Sequence, residues 1–164
     1  MAETIVYVQE HGYDTRDHLQ NQYQEISSKV QSAKSALNAV SAELKVTNMT
    51  IKHLGSYYAH RRVYAQLGKA FNKKKFRQEH AQELAAYKES AEWLEAHFPN
   101  EALPTIKDMQ SKKDTLKKRK ETLQGNYEYY RDYEKDLRTV SANVDEILGM
   151  DTSRQNSKQH EEEL

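Results

Sequence analysis

The sequence predicts an all-α fold, a long antiparallel helical hairpin (a coiled coil) with a small helical cap at the tip, and three observations predict it. First, Leu19, Tyr23, Ile26, Val30, Ala33, Leu37, Val40, Leu44, Thr47, Ile51, Leu54, Tyr58, Arg61 and Ala65 follow one another in unbroken steps of four and three. Steps averaging 3.5 residues mark a helix laid along a partner helix. Second, a matching stripe occupies the second half of the chain. Third, the 164 residues include only 5 Gly and 2 Pro, with 37% hydrophobic and 30% charged residues and a mean hydropathy of −1.03. That balance is too polar for a large globular core and suits a narrow seam between long helices.

Each element has a local reason. Residues 1–15 are a lead-in segment, in which 2–10 form a short helix or an extended stretch and Gly12 breaks it. Asp14 or Thr15 can cap the first helix, and Asp17 in its first turn favours the helix dipole. This helix is expected from about residue 16 to about 66, with Gly68 as a stop. The stripe alone is then roughly 70 Å long, too long for the core of a compact enzyme domain.

The joining insert, 68–104, is too long for a turn and has its own pattern of Phe71, Phe76, Leu84, Tyr87, Ala91, Leu94 and Phe98, with Trp93 beside them. A short helix near 73–79 and another near 80–97 are expected to form the cap, the Phe and Trp side chains filling a local core. The stretch PNEALP leads back. Thr105 is a good N-cap, and Asp108 completes a capping-box-like TIKD. The second stripe reads Ile106, Met109, Lys113, Leu116, Lys120, Leu123, Tyr127, Tyr130. It slips by one three-residue step, a stammer that overwinds the pair locally, and resumes at Tyr133, Leu137, Val140, Val144, Ile147. Gly149 is expected to close the helix. One hairpin domain, 16–149, would then be followed by a polar, aperiodic tail, 150–164, expected to be disordered.

Composition limits the function classes. The chain has no Cys, so it has neither a disulfide framework nor a thiolate metal site. No apolar run approaches the roughly 18 residues of a membrane span, and MAETIVYVQEHGY lacks the basic and apolar regions of a secretory signal. A cytoplasmic chain without membrane contact is expected.

Charge is patterned although the net charge is zero. Residues 60–77 carry +7 and 105–120 carry +5, while 1–30, 78–104 and 121–164 carry −3, −5 and −6. An antiparallel hairpin is expected to bring the end of the first helix, with His60, beside the start of the second, with Lys107, and so to polarise the rod. The candidate nucleic-acid-binding residues at that tip are Arg61, Arg62, Lys69, Lys73, Lys74, Lys75, Arg77, Lys112, Lys113, Lys117, Lys118, Arg119 and Lys120. A phosphate backbone attracts such a surface with little sequence preference and strong salt dependence. The competing reading is that Lys-rich helix faces are simply solvated and that the −5 of 78–104 neutralises part of the patch.

Other constellations read as structure. Tyr127, Tyr129, Tyr130 and Tyr133 form a cluster, and a tyrosine can serve as a covalent nucleophile. The helix that carries them contains no histidine up to Gly149, and Tyr127, Tyr130 and Tyr133 fall on the seam, where rings fill a two-helix interface. The seven histidines, His11, His18, His53, His60, His80, His97 and His160, show no i, i+4 pair with an intervening Glu. There is no Gly-rich phosphate loop and no G-x-S-x-G. No catalytic residue, metal, cofactor or small-molecule substrate is therefore expected. Arg61, Lys113 and Lys120 occupy seam positions, where long stems can snorkel out or a second chain can cover them in a self-associated, four-helix form.

The second half carries a family resemblance. EALPTIKDMQSKKDTLKKRKETL and YRDYEKDLRTVSANVDEILG resemble the C-terminal helical region of relaxases from conjugative and mobilisable elements of Gram-positive bacteria. There a Leu-Pro-Thr-Val/Ile-Lys segment opens a long helix that ends in a Lys-Ala-Asn-Val-Asp-like stretch. The counterparts are Leu103-Pro104-Thr105-Ile106-Lys107 and Val140-Ser141-Ala142-Asn143-Val144-Asp145, and YVQEHGYDTRDHL is similar to the segment that links the family's nuclease domain to its coiled coil. The resemblance spans most of residues 7–149. It implies a non-catalytic piece of a relaxase or a free-standing relative, because the family's catalytic tyrosine and metal-binding histidines belong to a nuclease domain with no counterpart here. It further implies partners such as origin-of-transfer DNA, relaxosome proteins or the coupling protein. The sequence thus supports a binding and scaffolding module, or a coiled-coil spacer or self-association module without nucleic-acid contact, ahead of an intact enzyme.

Overall fold

A computed structural model describes residue 3 and residues 16–162, without the side chains of 148 and 150–162. The expected lead-in, with its caps Asp14 and Thr15, otherwise lies outside the described residues. Four helices follow in order: α1 (Arg16–Lys69), α2 (Lys73–Glu79), α3 (Ala81–His97) and α4 (Ile106–Glu162). The two long helices pack antiparallel with the short ones between them, a hairpin with a small helical cap.

The helix starts obey the local chemistry of their caps. The Asp108 backbone N–H donates to Thr105 Oγ1 at 3.0 Å and opens α4. The Lys75 N–H donates to Asn72 Oδ1 at 3.0 Å and opens α2. In the connection back to α4, Asn100 sits at φ 58°, the left-handed region that Asn tolerates better than other side chains. The ends depart from expectation. Helix α1 runs one residue past Gly68, and α4 does not stop at Gly149 but continues helical to Glu162, where a disordered tail was expected. Residues 150–162 contain no proline, and a single glycine inside a helix costs only about 1 kcal/mol.

Two compact units divide the chain. The unit taking in the chain up to Leu37 and from Thr122 onward has an aliphatic core of Leu19, Ile26, Val30, Leu137 and Val140, flanked by Tyr23, Tyr127, Tyr130, Tyr133 and Val144. The seam reading of these three α4 tyrosines therefore holds, and Tyr129 stands outside at 67% exposure. Polar contacts along the edge fix the antiparallel register. Arg16 pairs with Asp145 at 2.9 Å, Arg138 Nη2 donates to Tyr23 Oη at 3.1 Å, and the Lys29 ammonium lies 5.9 Å from the Tyr130 ring centre.

The unit Asn38–Glu121 is built differently. Val40, Thr47 and Leu54 of α1 and Leu116 of α4 are buried, and Lys112 pairs with Glu43 at 2.9 Å to set the register of these two helices. The buried Thr47 and Thr50 hydroxyls donate to the carbonyls of Glu43 and Val46, each at 2.9 Å, so neither leaves an unsatisfied polar group. Helix α3 packs on a second face of α1, offset from the first. That face comprises Thr50, His53, Tyr57, His60, Tyr64 and Leu67, again in steps of three and four. Leu94 of α3 is almost wholly buried.

This second face corrects part of the first stripe. Every member of the stripe from Leu19 to Leu54 is buried or half-buried, but Tyr58, Arg61 and Ala65 are exposed. Beyond Leu54 the partner is α3 rather than α4, and it approaches from another direction. The α4 stripe needs no such revision, since all its members from Ile106 to Ile147 are buried or half-buried. The expected aromatic core of the cap forms only in part. Trp93, Phe76 and Phe98 are half-buried, whereas Phe71 is fully exposed in the turn between α1 and α2.

Candidate nucleic-acid interface

All the basic residues singled out in the sequence lie in the Asn38–Glu121 unit, where they form two groups rather than one tip. The first group comprises Arg61, Arg62 and Lys69 at the end of α1 with Lys73, Lys74, Lys75 and Arg77 on α2, and every member is exposed. The second lies along the first turns of α4, where Lys112, Lys117, Lys118 and Arg119 are exposed and Lys113 and Lys120 are half-buried beside the seam. The Lys112–Glu43 pair places the second group about five turns before Arg61, roughly 27 Å along α1. The expected juxtaposition of His60, Arg61 and Arg62 with the start of α4 is therefore absent. Helix α3, itself roughly 26 Å long, occupies the place along the end of α1 that the hairpin reading had assigned to α4.

The two groups have different electrostatic neighbours. Helix α3 brings Glu83, Glu89, Glu92 and Glu95, with Lys88 as its one strong base, alongside the end of α1. Lys75 pairs with Glu79 at 3.7 Å. The positive field of the first group is thus partly offset, as the competing sequence reading anticipated. On α4 the segment 105–120 has a net charge of +5, and its Lys112 pairs across to α1. This stretch extends for roughly 24 Å, a length over which a duplex presents several phosphates.

Between α1 and α3 lies a chain of rings that no stripe from Leu19 to Ala65 revealed. His53 is 3% exposed, its Nδ1 is 3.2 Å from Ser90 Oγ, and its ring stacks on Trp93 at 4.6 Å. Trp93 stacks in turn on His97 at 3.8 Å. Burial, aided by the nearby Lys52 charge, pushes the His53 imidazole below its usual range, so the neutral ring is the folded form. Tyr87 lies stacked against both Tyr57 and Tyr64, at 5.1 and 4.3 Å. Burial and a hydrogen bond with Tyr57 raise the Tyr87 phenol above its usual range, which keeps it protonated. The signal that could have found this face was the offset run Thr50, His53, Tyr57, His60, Tyr64, Leu67.

The same helices enclose an apolar groove of about 540 Å³ between Tyr64 and Leu67 of α1 and the face of α3 from Ala81 to Glu95. Among the described residues no three His, Asp or Glu side chains are grouped to hold a metal ion. No described helix is long and apolar enough to cross a membrane. The geometry thus defines a helical hairpin with exposed cationic surfaces and an aromatic α1–α3 contact. No protein-family model, curated protein or solved structure matches the chain.

Proposed function

We propose that the chain is a non-catalytic binding and scaffolding module of a DNA-transfer relaxase, which touches DNA or acidic surfaces of transfer-machinery proteins through its cationic helix faces. The observation that carries this reading is the exposed basic stretch of α4, Lys112, Lys117, Lys118 and Arg119, on a segment of net +5. Such a stretch suits sequence-independent phosphate contact. The relaxase context rests on the resemblance around Leu103-Pro104-Thr105-Ile106-Lys107, and the Thr105 cap is consistent with the helix-opening role of that segment in the family. The α1–α2 group serves as an auxiliary contact, since α3 offsets part of its field.

Fluorescence anisotropy with single- and double-stranded DNA at low and moderate salt tests the reading. Reversing Lys117, Lys118, Arg119 and Lys120 should weaken binding most, and reversing Lys73, Lys74 and Lys75 should weaken it less. Both variants should flatten the salt dependence. Absence of binding at low salt, or binding indifferent to the α4 reversal, would reject nucleic-acid contact. The context is tested separately by the full reading frame, in which a nuclease domain upstream is expected.

A further inference from the structure

The first stripe on α1 runs past its partner. The Lys112–Glu43 pair sets the register, and α4 begins at Ile106, so α4 starts opposite about residue 49 of α1. Beyond Leu54 the helix goes on presenting the face that α4 has left. That face carries Tyr58, Arg61, Arg62, Ala65 and Lys69, spaced in steps of three and four, and all five are exposed.

Two features set this face apart from a solvated helix surface. The first is charge. Between Glu43 and Glu79 the chain holds nine Lys and Arg and no Asp or Glu, whereas a solvated face commonly mixes the two signs. Helix α3, which carries the neighbouring carboxylates, packs on the positions from Thr50 to Leu67 that lie roughly a third of a turn away around α1. The second is a braced aromatic ring. Tyr58 is 45% exposed and meets Tyr57 edge-on at 5.3 Å. Tyr57 in turn stacks on Tyr87 of α3 at 5.1 Å, and both of these rings are half-buried. The α1–α3 contact therefore supports a ring that stands partly in water, and a ring so held loses little freedom when a ligand stacks on it.

An exposed ring with guanidinium groups one turn further along matches a nucleotide, whose base stacks while its phosphates pair with the cations. A duplex covers the faces of its bases by mutual stacking, so an unpaired strand alone can use the ring. We propose that the α1 face vacated by α4 is a contact site for single-stranded nucleic acid, in which a base stacks on Tyr58 and Arg61, Arg62 and Lys69 hold the adjoining phosphates. The proposal rests on the reading of nucleic-acid contact above and adds to it a preference for unpaired strands.

Fluorescence anisotropy of the full chain with a labelled oligothymidylate, and with a duplex of the same length, tests it. The wild type should bind the single strand more tightly. Tyr58→Leu keeps a bulky side chain but removes the ring, and should weaken single-strand binding about fivefold or more while leaving duplex binding within about twofold, since a duplex cannot stack on the ring. Tyr58→Phe should behave as the wild type, because the ring face and not the hydroxyl makes the contact. Arg61→Gln with Arg62→Gln should weaken single-strand binding and flatten its salt dependence. Circular dichroism should give the same helicity for every variant. Single-strand binding indifferent to Tyr58→Leu, an equal loss on both probes, or a loss reproduced by Tyr58→Phe would each overturn the proposal while leaving the functional reading intact. Absence of binding to either probe at low salt would overturn both.

Discussion

The two compact units solve the same problem, burying one side of α1, with different chemistry. Where 16–37 pairs with α4 alone, the core is aliphatic, Leu19, Ile26, Val30, Leu137 and Val140, with tyrosines at its border. Where α1 meets α3 as well, the buried set includes Thr47, Thr50, His53 and Ser90. A two-helix seam is narrow, so each buried position can be apolar and the polar rim is close to water. A helix flanked on two sides has more of its circumference covered. Its polar positions must then find partners inside, as the threonines do in the carbonyls of the preceding turn and His53 does in Ser90.

The largest effect that would sharpen this contrast comes from the aliphatic core. Leu137 is wholly buried, and Leu137→Ala should cost about 2–5 kcal/mol in urea denaturation. In the polar unit, Ser90→Ala leaves the His53 Nδ1 without its partner and should cost about 1–3 kcal/mol.

The same histidine gives the second unit a pH dependence that the aliphatic core lacks. Its folded pKa lies below the ordinary value of 6.5, so as pH falls through 6.5 the unfolded chain takes up a proton that the folded chain does not. The His53 contribution to stability is fully present above about 6.5 and declines below it. Urea midpoints measured across that range should show the decline, and His53→Leu should remove that part of it. An undiminished slope in His53→Leu would assign the pH dependence to other groups. The smallest effect is expected at Gly125 in α4, where an added Cβ meets nothing within 4 Å. Gly125→Ala should raise stability by about 0.5–1 kcal/mol through helix propensity alone.

Legibility in the sequence follows the same division. The aliphatic seam could be read directly, because apolar residues at steps of four and three have one natural explanation, and α2 emerged with its ends at 73 and 79. The α3 contact was less visible. Its stripe on α1 interleaves with the first and uses Thr, His and Tyr, residue types that hydropathy alone does not mark as buried. The first stripe overruns its partner because Tyr58 and Ala65 keep its period by composition, while beyond Leu54 the partner is α3 and both residues are exposed. For the candidate interface, the basic residues and their exposure were legible but their grouping was not. Grouping depends on where α4 starts along α1, which the length and direction of α3 decide.

The interleaving of two stripes on α1 turns helix length into a counted quantity. Each residue added to a helix turns everything beyond it by about 100°. A single deletion at Ser56 would leave His53 facing Ser90 while swinging Tyr57 and Tyr64 away from Tyr87, and only steps of about a heptad would return both faces to register. Homologous chains that vary in length between Leu54 and Leu67 should therefore differ by whole heptads, matched by equal changes in α3.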